Sequence, residues 1–242
     1  LERLAIESQR RRRLGKLKRT VATNLKLGHI DSLEFLEIAK GNRPQIIYDI
    51  GANIGTWTIL AKACLPDSII HAFEPLLMHH EPFVNMLHDV PDVTLHKVAL
   101  GSRSEVLNMN VTSFSDASSL LEITEATVEH FGVTRDRKEK VTVFSLDEYV
   151  ATTQLPLPDI IKLDIQGYEL EAMRGAEKCL AYARFVICEV SFIEFYKGQA
   201  LFYDIVEFMA HHNFHLEAFG VNTPLGKKLL QTDAMFARSG SH

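Results

Sequence analysis

The rhythm of apolar and polar positions changes once along the 242-residue chain. Leu1, Leu4, Ile6, Leu14, Leu17 and Val21 recur at irregular helical spacing, with Arg10 to Arg13, Lys16, Lys18 and Arg19 between them. A second, shorter helix is expected over Asp31–Ala39, capped by Asp31 or Ser32 and apolar at Leu33, Phe35, Leu36 and Ile38. Gly41-Asn42-Arg43-Pro44 then ends the helical pattern and marks a boundary.

Beyond Pro44 the pattern becomes short apolar runs separated by helical stretches. Gln45–Ile50, Ser68–Phe73, Val93–Leu100, Asp159–Asp164 and Phe185–Val190 read as buried strands, with Phe214–Phe219 and Ala234–Ala237 as two more. Helices are expected over Thr56–Leu65, His79–His88, Tyr168–Leu180 and Tyr203–Ala210. Strands that are apolar throughout and alternate with helices predict a parallel sheet covered on both faces. Residues 101–150 interrupt the alternation. Glu105–Val111 and Val141–Phe144 look strand-like, Ser113–Ser119 loop-like, and the charge run Arg135–Lys140 is expected to be a solvated turn.

Composition excludes more than it identifies. With 46% hydrophobic and 24% charged residues, the chain is neither disordered nor collagen-like, and no apolar run is long enough for a transmembrane segment. The net charge of −5 hides an asymmetry: residues 1–43 hold 11 Lys/Arg against 5 Asp/Glu, whereas residues 44–242 hold 15 against 26. Two parts are therefore expected, a basic helical arm (1–43) and an acidic body (44–242). Cys64, Cys179 and Cys188 lie among apolar residues in no CxxC spacing, which favours a reducing, cytoplasmic setting over a disulfide framework.

Candidate chemistry concentrates in Tyr48-Asp-Ile-Gly-Ala-Asn-Ile-Gly-Thr56, which follows one strand and opens a helix. Such turns place a helix N-terminus at a strand end, where nucleotide-like ligands bind. A dinucleotide turn needs G-x-G-x-x-G, but Asn53 stands where its second glycine belongs. Asp49, just before the turn, would repel a pyrophosphate and attract an ammonium. Glu74, 19 residues after Gly55, could accept both hydroxyls of a ribose. These residues favour S-adenosylmethionine over NAD.

The chain resembles the FkbM-type methyltransferases, a branch of the class I S-adenosylmethionine-dependent enzymes. Five pieces carry the resemblance: Asp49–Gly55, Phe73-Glu-Pro75, Val98-Ala-Leu-Gly101, Ser145-Leu-Asp147, and Ile161-Lys-Leu-Asp-Ile-Gln-Gly-Tyr-Glu169 with Gly175 behind it. Glu189 and Asp233-Ala-Met-Phe236 also fit. Gln166 departs from the Glu often found there, and the arm 1–43 has no identified counterpart. The resemblance implies a Rossmann-like, seven-stranded, mostly parallel α/β sheet ending in an antiparallel strand. It further implies O-methylation of a hydroxyl on a sugar, glycolipid or polysaccharide, or natural-product acceptor. The cofactor-binding set expected on these pieces is Asp49, Gly51, Ala52, Asn53, Gly55, Thr56, Glu74, Pro75 and Asp164.

An alcohol is a poor nucleophile at neutral pH, so methyl transfer needs groups that orient it and take its proton. Asp164 and Glu189 close apolar strands, which is unusual for acids without partners. They are the expected catalytic pair, with Lys162 two residues before Asp164 on the same strand face. A structural charge network is the competing reading of these three residues. No resident metal is expected, although Asp164 and Glu189 could hold a divalent ion. His211, His212 and His215 straddle a helix end and need not converge. His79 and His80 start the helix after Pro75, either solvated or covering the cofactor. Phe192, Phe195, Tyr196, Phe202 and Tyr203 could wall an acceptor cleft or serve as core.

Two other function classes remain open on sequence, an NAD(P)-linked oxidoreductase or epimerase and a non-catalytic binding module on the same fold. Nucleic acid is not an expected partner, because the body is acidic and lacks an Asn/Asp-Pro-Pro-Tyr/Phe signature. Self-association as a homo-oligomer is compatible with the sequence.

Overall fold

The computed structural model describes residues 2–220 and 228–240. Two helices, α1 (Glu2–Leu17) and α2 (Leu33–Lys40), precede β1 (Ile46–Ile50), α3 (Thr56–Cys64), β2 (Ile69–Phe73), α4 (Leu77–Leu87) and β3 (Val93–His96). An insert follows: β4 (Ala99–Leu100), β5 (Glu105–Thr112), α5 (Glu125–Phe131), β6 (Arg135–Phe144) and α6 (Leu146–Thr153). The chain closes with β7 (Ile160–Leu163), α7 (Glu169–Arg174), α8 (Glu177–Tyr182), β8 (Phe185–Ser191), α9 (Phe202–His211), β9 (Phe214–Phe219) and β10 (Gln231–Arg238).

Seven strands form one sheet in the order β3-β2-β1-β7-β8-β10-β9. Its pairings are parallel except those of β10, which runs antiparallel to both β8 and β9. This is the class I methyltransferase architecture expected from the sequence. Strand order reverses between β1 and β7, and open α/β sheets bind ligands outside the C-terminal strand ends at such a reversal. Side chains alternate between the two faces. Ile47 enters one hydrophobic cluster, with Ile59, Leu60 and Ile70, and Tyr48 enters the other, with Ile161, Met173 and Leu180.

Four local expectations need correction. The run Arg135–Lys140 is not a turn but the first half of β6, paired antiparallel with β5 from Arg137↔Val111 to Lys140↔Asn108. Its side chains are mostly exposed, and Arg137 and Glu139 pair two residues apart on one strand face. The expected strand 93–100 splits, with β3 joining the large sheet and β4 a small sheet of order β4-β6-β5. The helix expected over 168–180 breaks at Gly175-Ala176. A Cβ on Gly175 would lie 2.1 Å from the Gly101 carbonyl oxygen, so this close approach requires glycine. The insert also holds two helices that its pattern did not announce, α5 and α6. Ser145 caps α6, its Oγ accepting the Glu148 N–H at 3.3 Å.

The N-terminal segment is not an appendage. Leu17, Ala22, Leu25, Ile30, Phe35, Leu36 and Ala39 belong to the same buried cluster as Ile47, Ile160 and Met235. Together with α3 it covers one face of the sheet. Arg10 and Arg13 point inward, Arg10 bonded to Asp31 and Arg13 to Glu34 and Glu37. Among the described residues, no helix is long and apolar enough to cross a membrane.

Glu169 begins α7 and is buried. Its Oε1 accepts the N–H groups of Ile165 at 2.9 Å and Gly167 at 3.2 Å, closing the turn after β7. Burial raises its carboxyl from an ordinary value of 4.5 to about 7, against the opposing pull of those N–H donors.

Two tests follow from this packing. Phe35→Ala removes a side chain with no solvent exposure. Its expected cost is about 3–5 kcal/mol in denaturant unfolding, whereas a residue on an independent arm would change body stability by less than about 0.5 kcal/mol. The raised Glu169 value makes its contribution fullest below pH 4.5 and lost as pH rises through 7. Glu169→Gln should therefore gain on the wild type by up to about 3 kcal/mol between pH 4 and pH 8. A difference independent of pH would contradict the burial of its charged form.

Candidate functional site

The C-terminal ends of β2, β1, β7 and β8 open into a cavity of about 430 Å³. Its wall includes the first-turn residues Gly51, Ala52, Asn53, Thr56 and Trp57, with Glu74, Pro75 and His79 on the β2 side. Lys162, Asp164, Gln166 and Glu189 come from β7 and β8, and Asp233 from β10. The small sheet contributes Ala99, Leu100 and Met109, and Gly28, His29, Asp31 and Ser32 come from the N-terminal segment. Glu74 and Glu189 are three strand spacings apart, about 14 Å. The cavity thus reaches from Glu74, expected from the sequence to meet a ribose, to the expected catalytic pair.

The two turns at its centre are built from left-handed residues. Gly51, Asn53 and Gly55 have φ of 80°, 48° and 87°, and Gln166 and Gly167 have 58° and 93°. A Cβ on Gly51 would lie 2.0 Å from the Asp164 carbonyl oxygen, so the turns after β1 and β7 touch through backbone. Every N–H from Gly51 to Gly55 has an internal acceptor. Gly51 and Ala52 donate to the Phe73 carbonyl at 3.0 Å each, and Asn53 donates to Glu74 Oε2 at 3.0 Å. Ile54 donates to Asn53 Oδ1 at 2.7 Å and Gly55 to the Ala52 carbonyl at 2.8 Å. A pyrophosphate cradle needs such groups free. This turn spends them on its own shape.

Asp49 lies behind the turn rather than on the cavity wall. It is fully buried, with Oδ1 3.2 Å from Lys162 Nζ and Oδ2 accepting the Thr58 hydroxyl at 2.6 Å. Direct contact between Asp49 and an ammonium is thereby blocked. Gly55 also misses the wall, packed against Leu87 and Phe83. Lys162 Nζ further donates to the Gly51 carbonyl at 3.2 Å and lies 3.7 Å from Asp164 Oδ2. Burial alone would lower its pKa, but Asp49 and Asp164 more than offset this and raise it. Lys162 is therefore a fixed cation under the turns, held as the competing structural reading described.

Asp164 and Glu189 do come together. Gln166 Nε2 donates to Asp164 Oδ1 at 2.7 Å and to Glu189 Oε2 at 3.2 Å, and its Oε1 accepts the Tyr196 hydroxyl at 2.7 Å. An amide can bridge two carboxylates where a third carboxylate could not, which gives the departure at Gln166 a physical role. Asp233 faces Glu189 across the β8–β10 register. Burial, then the charges of Asp164 and Asp233, push the Glu189 carboxyl well above its ordinary range. Burial, then Asp164, raises Asp233 to about 7.

Sequence reasoning missed Asp233, Tyr168 and residues 28–32 as wall residues. It named Asp233 only within a familiar motif. His79 and His80 are buried, at 4% and 7% exposure, rather than solvated. Ser118 reaches the cavity, while Ser119 Oγ donates to the Gln166 carbonyl at 2.6 Å. The aromatic group expected as a cleft wall divides. Phe192 stacks on Phe202, and Phe195 and Tyr196 form a separate buried cluster with Ile123 and Val133. The rings of His211 and His212 turn back to the carbonyls of Glu207 and Phe208, while His215 pairs with Glu217.

The donor set fits a nucleoside-bearing, positively charged ligand. Trp57 and His79 line the cavity, and Trp57 Nε1 and His79 Nε2 are buried without hydrogen-bond partners among the described residues. Asp31, Glu74, Asp116, Asp164, Glu189 and Asp233 add six carboxylates to the wall.

Comparison with known proteins identifies the family. The chain is 23% identical over 164 residues to the hexuronic acid methyltransferase AglP of Haloferax volcanii, covering 67% of this chain and 62% of that protein. It spans about three fifths of the length of the curated relatives it matches. The solved methyltransferase FkbM of Methylobacillus flagellatus KT superposes with a TM-score of 0.53 at 15% identity, over 80% of this chain and 44% of that one. Magnesium protoporphyrin IX methyltransferase (ChlM) of Synechocystis PCC 6803, solved with bound SAM, gives 0.50 at 15% identity, over 87% and 78%. Residues 49–216 match the sequence model of the Methyltransferase FkbM domain, and the chain belongs to that family.

Proposed function

We propose that this chain transfers a methyl group from S-adenosylmethionine to a hydroxyl of a sugar, glycolipid or polysaccharide, or natural-product acceptor. One observation carries the reading: a single cavity joins Glu74, suited to a ribose, to the Asp164–Glu189 pair at the neighbouring strand ends. When bound, the cofactor supplies an electrophilic methyl on a sulfonium, so the protein needs only to align an oxygen and move a proton.

Glu74 is oriented for a ribose. Its Oε2 accepts the Asn53 N–H and its Oε1 the Leu76 N–H at 2.8 Å, leaving further lone pairs for two hydroxyls. At the other end, Asp164 is positioned by Gln166 and Lys162 to accept a hydrogen bond from the acceptor hydroxyl. Glu189 is the proton acceptor. Burial and the charges of Asp164 and Asp233 raise its pKa, which makes it a stronger base than an ordinary carboxylate. Lys162 positions Asp164 without touching the acceptor.

Charge narrows the acceptor. Six carboxylates line the cavity, namely Asp31, Glu74, Asp116, Asp164, Glu189 and Asp233, while Lys162 is already paired with Asp49. Such a wall stabilises a cationic cofactor and disfavours a phosphate or carboxylate at the reacting position. The name of the Haloferax volcanii relative supports a sugar-type acceptor, and the acidic wall favours a neutral ring at the methylated hydroxyl.

Isothermal titration should give binding of S-adenosylhomocysteine and none of NADH; the reverse would replace this reading with an oxidoreductase. Methyl transfer from tritiated cofactor, screened over neutral glycosides, lipids and cell extract, would exclude a non-catalytic module. With the responding acceptor, Glu189→Gln should lower kcat by about 10²–10⁴ and leave S-adenosylhomocysteine affinity within about threefold. Because the base must be ionised, wild-type kcat should rise with pH above the ordinary carboxylate range. A kcat unaffected by Glu189→Gln would remove Glu189 from the mechanism.

A further inference from the structure

Tyr196 stands behind the cavity wall and holds the residue that joins the two acids of the site. It is fully buried, packed with Ala117, Ile123, Val133 and Phe195. Its backbone N–H donates to Gln199 Oε1 at 2.7 Å, and a Cβ on Gly167 would lie 3.0 Å from its ring. Its place is therefore set by packing and not by what fills the cavity. The hydroxyl donates to Gln166 Oε1 at 2.7 Å, and the Ala117 carbonyl oxygen lies 3.2 Å away as a second, weaker acceptor. Ser119 Oγ donates to the Gln166 carbonyl at 2.6 Å. Gln166 is thus held at both its side chain and its main chain, in a turn where its own backbone is left-handed.

The grip matters because an amide has two faces. One edge accepts through oxygen, the other donates through NH2, and turning the group over exchanges them. Two ionised carboxylates only accept, so they demand the NH2. A protonated Glu189 also donates, and it can meet the amide oxygen instead. The orientation is then decided from the far side, where the Tyr196 hydroxyl satisfies Oε1. The charged groups facing Glu189 are Asp164, Asp233, Glu169 and Lys162, and Lys162 is already paired with Asp49. The Cys188 thiol beside it on β8 is kept neutral by burial. The Gln166 NH2 is therefore the neutral donor that favours the ionised form of Glu189. We infer that Tyr196 is a positioning residue, acting through Gln166 to keep the amide NH2 on Asp164 and Glu189. Its catalytic consequence rests on the reading of Asp164 as the orienting group and Glu189 as the base. The hydroxyl acts from outside the cavity and needs no contact with cofactor or acceptor.

Tyr196→Phe keeps the packed ring and removes only the hydroxyl. Ionisation of Glu189 is read directly from the carboxyl NMR shift of protein carrying isotopically labelled glutamate, its signal assigned by its loss in Glu189→Gln. Without a donor at Oε1 the amide can turn its oxygen to a protonated Glu189, so the midpoint should rise by about one pH unit. The melting temperature should fall by no more than about 4 °C. In a Gln166→Met background, where no amide remains to be oriented, the same substitution should leave the Glu189 midpoint in place. An unchanged midpoint in Tyr196→Phe would overturn the inference, as would an equal rise with and without Gln166, the pattern of a packing defect. With the responding acceptor, kcat of Tyr196→Phe below the midpoint should drop about tenfold, following the same shift. If the midpoint moves as expected while Glu189→Gln leaves kcat unaffected, Tyr196 is confirmed as the orienting residue and the base reading alone fails.

Discussion

The buried Asp49–Lys162 ion pair is the constraint on which the site depends. Its members are register partners on adjacent strands, β1 and β7, directly below the turns that carry the chemistry. An unpaired charge in that position would be strongly destabilising, so each residue is retained by the other. Lys162 also reaches the Gly51 carbonyl and Asp164, so one ammonium ties together both turns and one strand-end acid. Asp49 is held in turn by Thr58 of α3. A residue that reads in the sequence as a ligand contact is instead the foundation beneath the contacts.

Above that foundation the protein holds groups that do not favour being together. The charge of Asp164 raises the proton affinity of the buried Glu189 and Asp233, and of the three acids Gln166 bonds only to Asp164 and Glu189. Gln166 itself holds a left-handed backbone, uncommon for a residue with a side chain. His79 Nε2 and Trp57 Nε1 are buried without hydrogen-bond partners among the described residues. Such accumulations of like charge, backbone strain and unsatisfied polarity are retained where a ligand relieves them.

Much of this was legible in the sequence because it is local. The central strands β1, β2, β7 and β8 are largely continuous apolar runs, and β1, β8 and β9 lie close to their expected positions. Asp164 and Glu189 stand out as acids closing apolar strands, and Glu74 by its spacing from the glycine turn. What escaped depends on contacts between distant segments. Asp233 becomes a site residue only through an antiparallel register that places it opposite Glu189. Arg135–Lys140 reads as a solvated turn until β5 supplies its hydrogen-bond partners, and only the alternation of Arg137 and Glu139 hinted at a strand. The break between α7 and α8 follows from the approach of the Gly101 backbone, 74 residues upstream of Gly175. No periodicity encodes such a contact.

The charge asymmetry of the chain resolves the same way. A basic arm beside an acidic body suggests an electrostatic handle for an external partner. In the fold, Arg10 and Arg13 turn inward onto Asp31, Glu34 and Glu37, so part of the positive charge is consumed in docking the arm to itself. That docking sets Asp31 on the cavity wall, within electrostatic range of Asp233. The basic segment therefore delivers a carboxylate to the site rather than a cation. Both parts of the chain contribute negative charge to the same cavity, and the arm is as much part of the binding wall as the strand ends it covers.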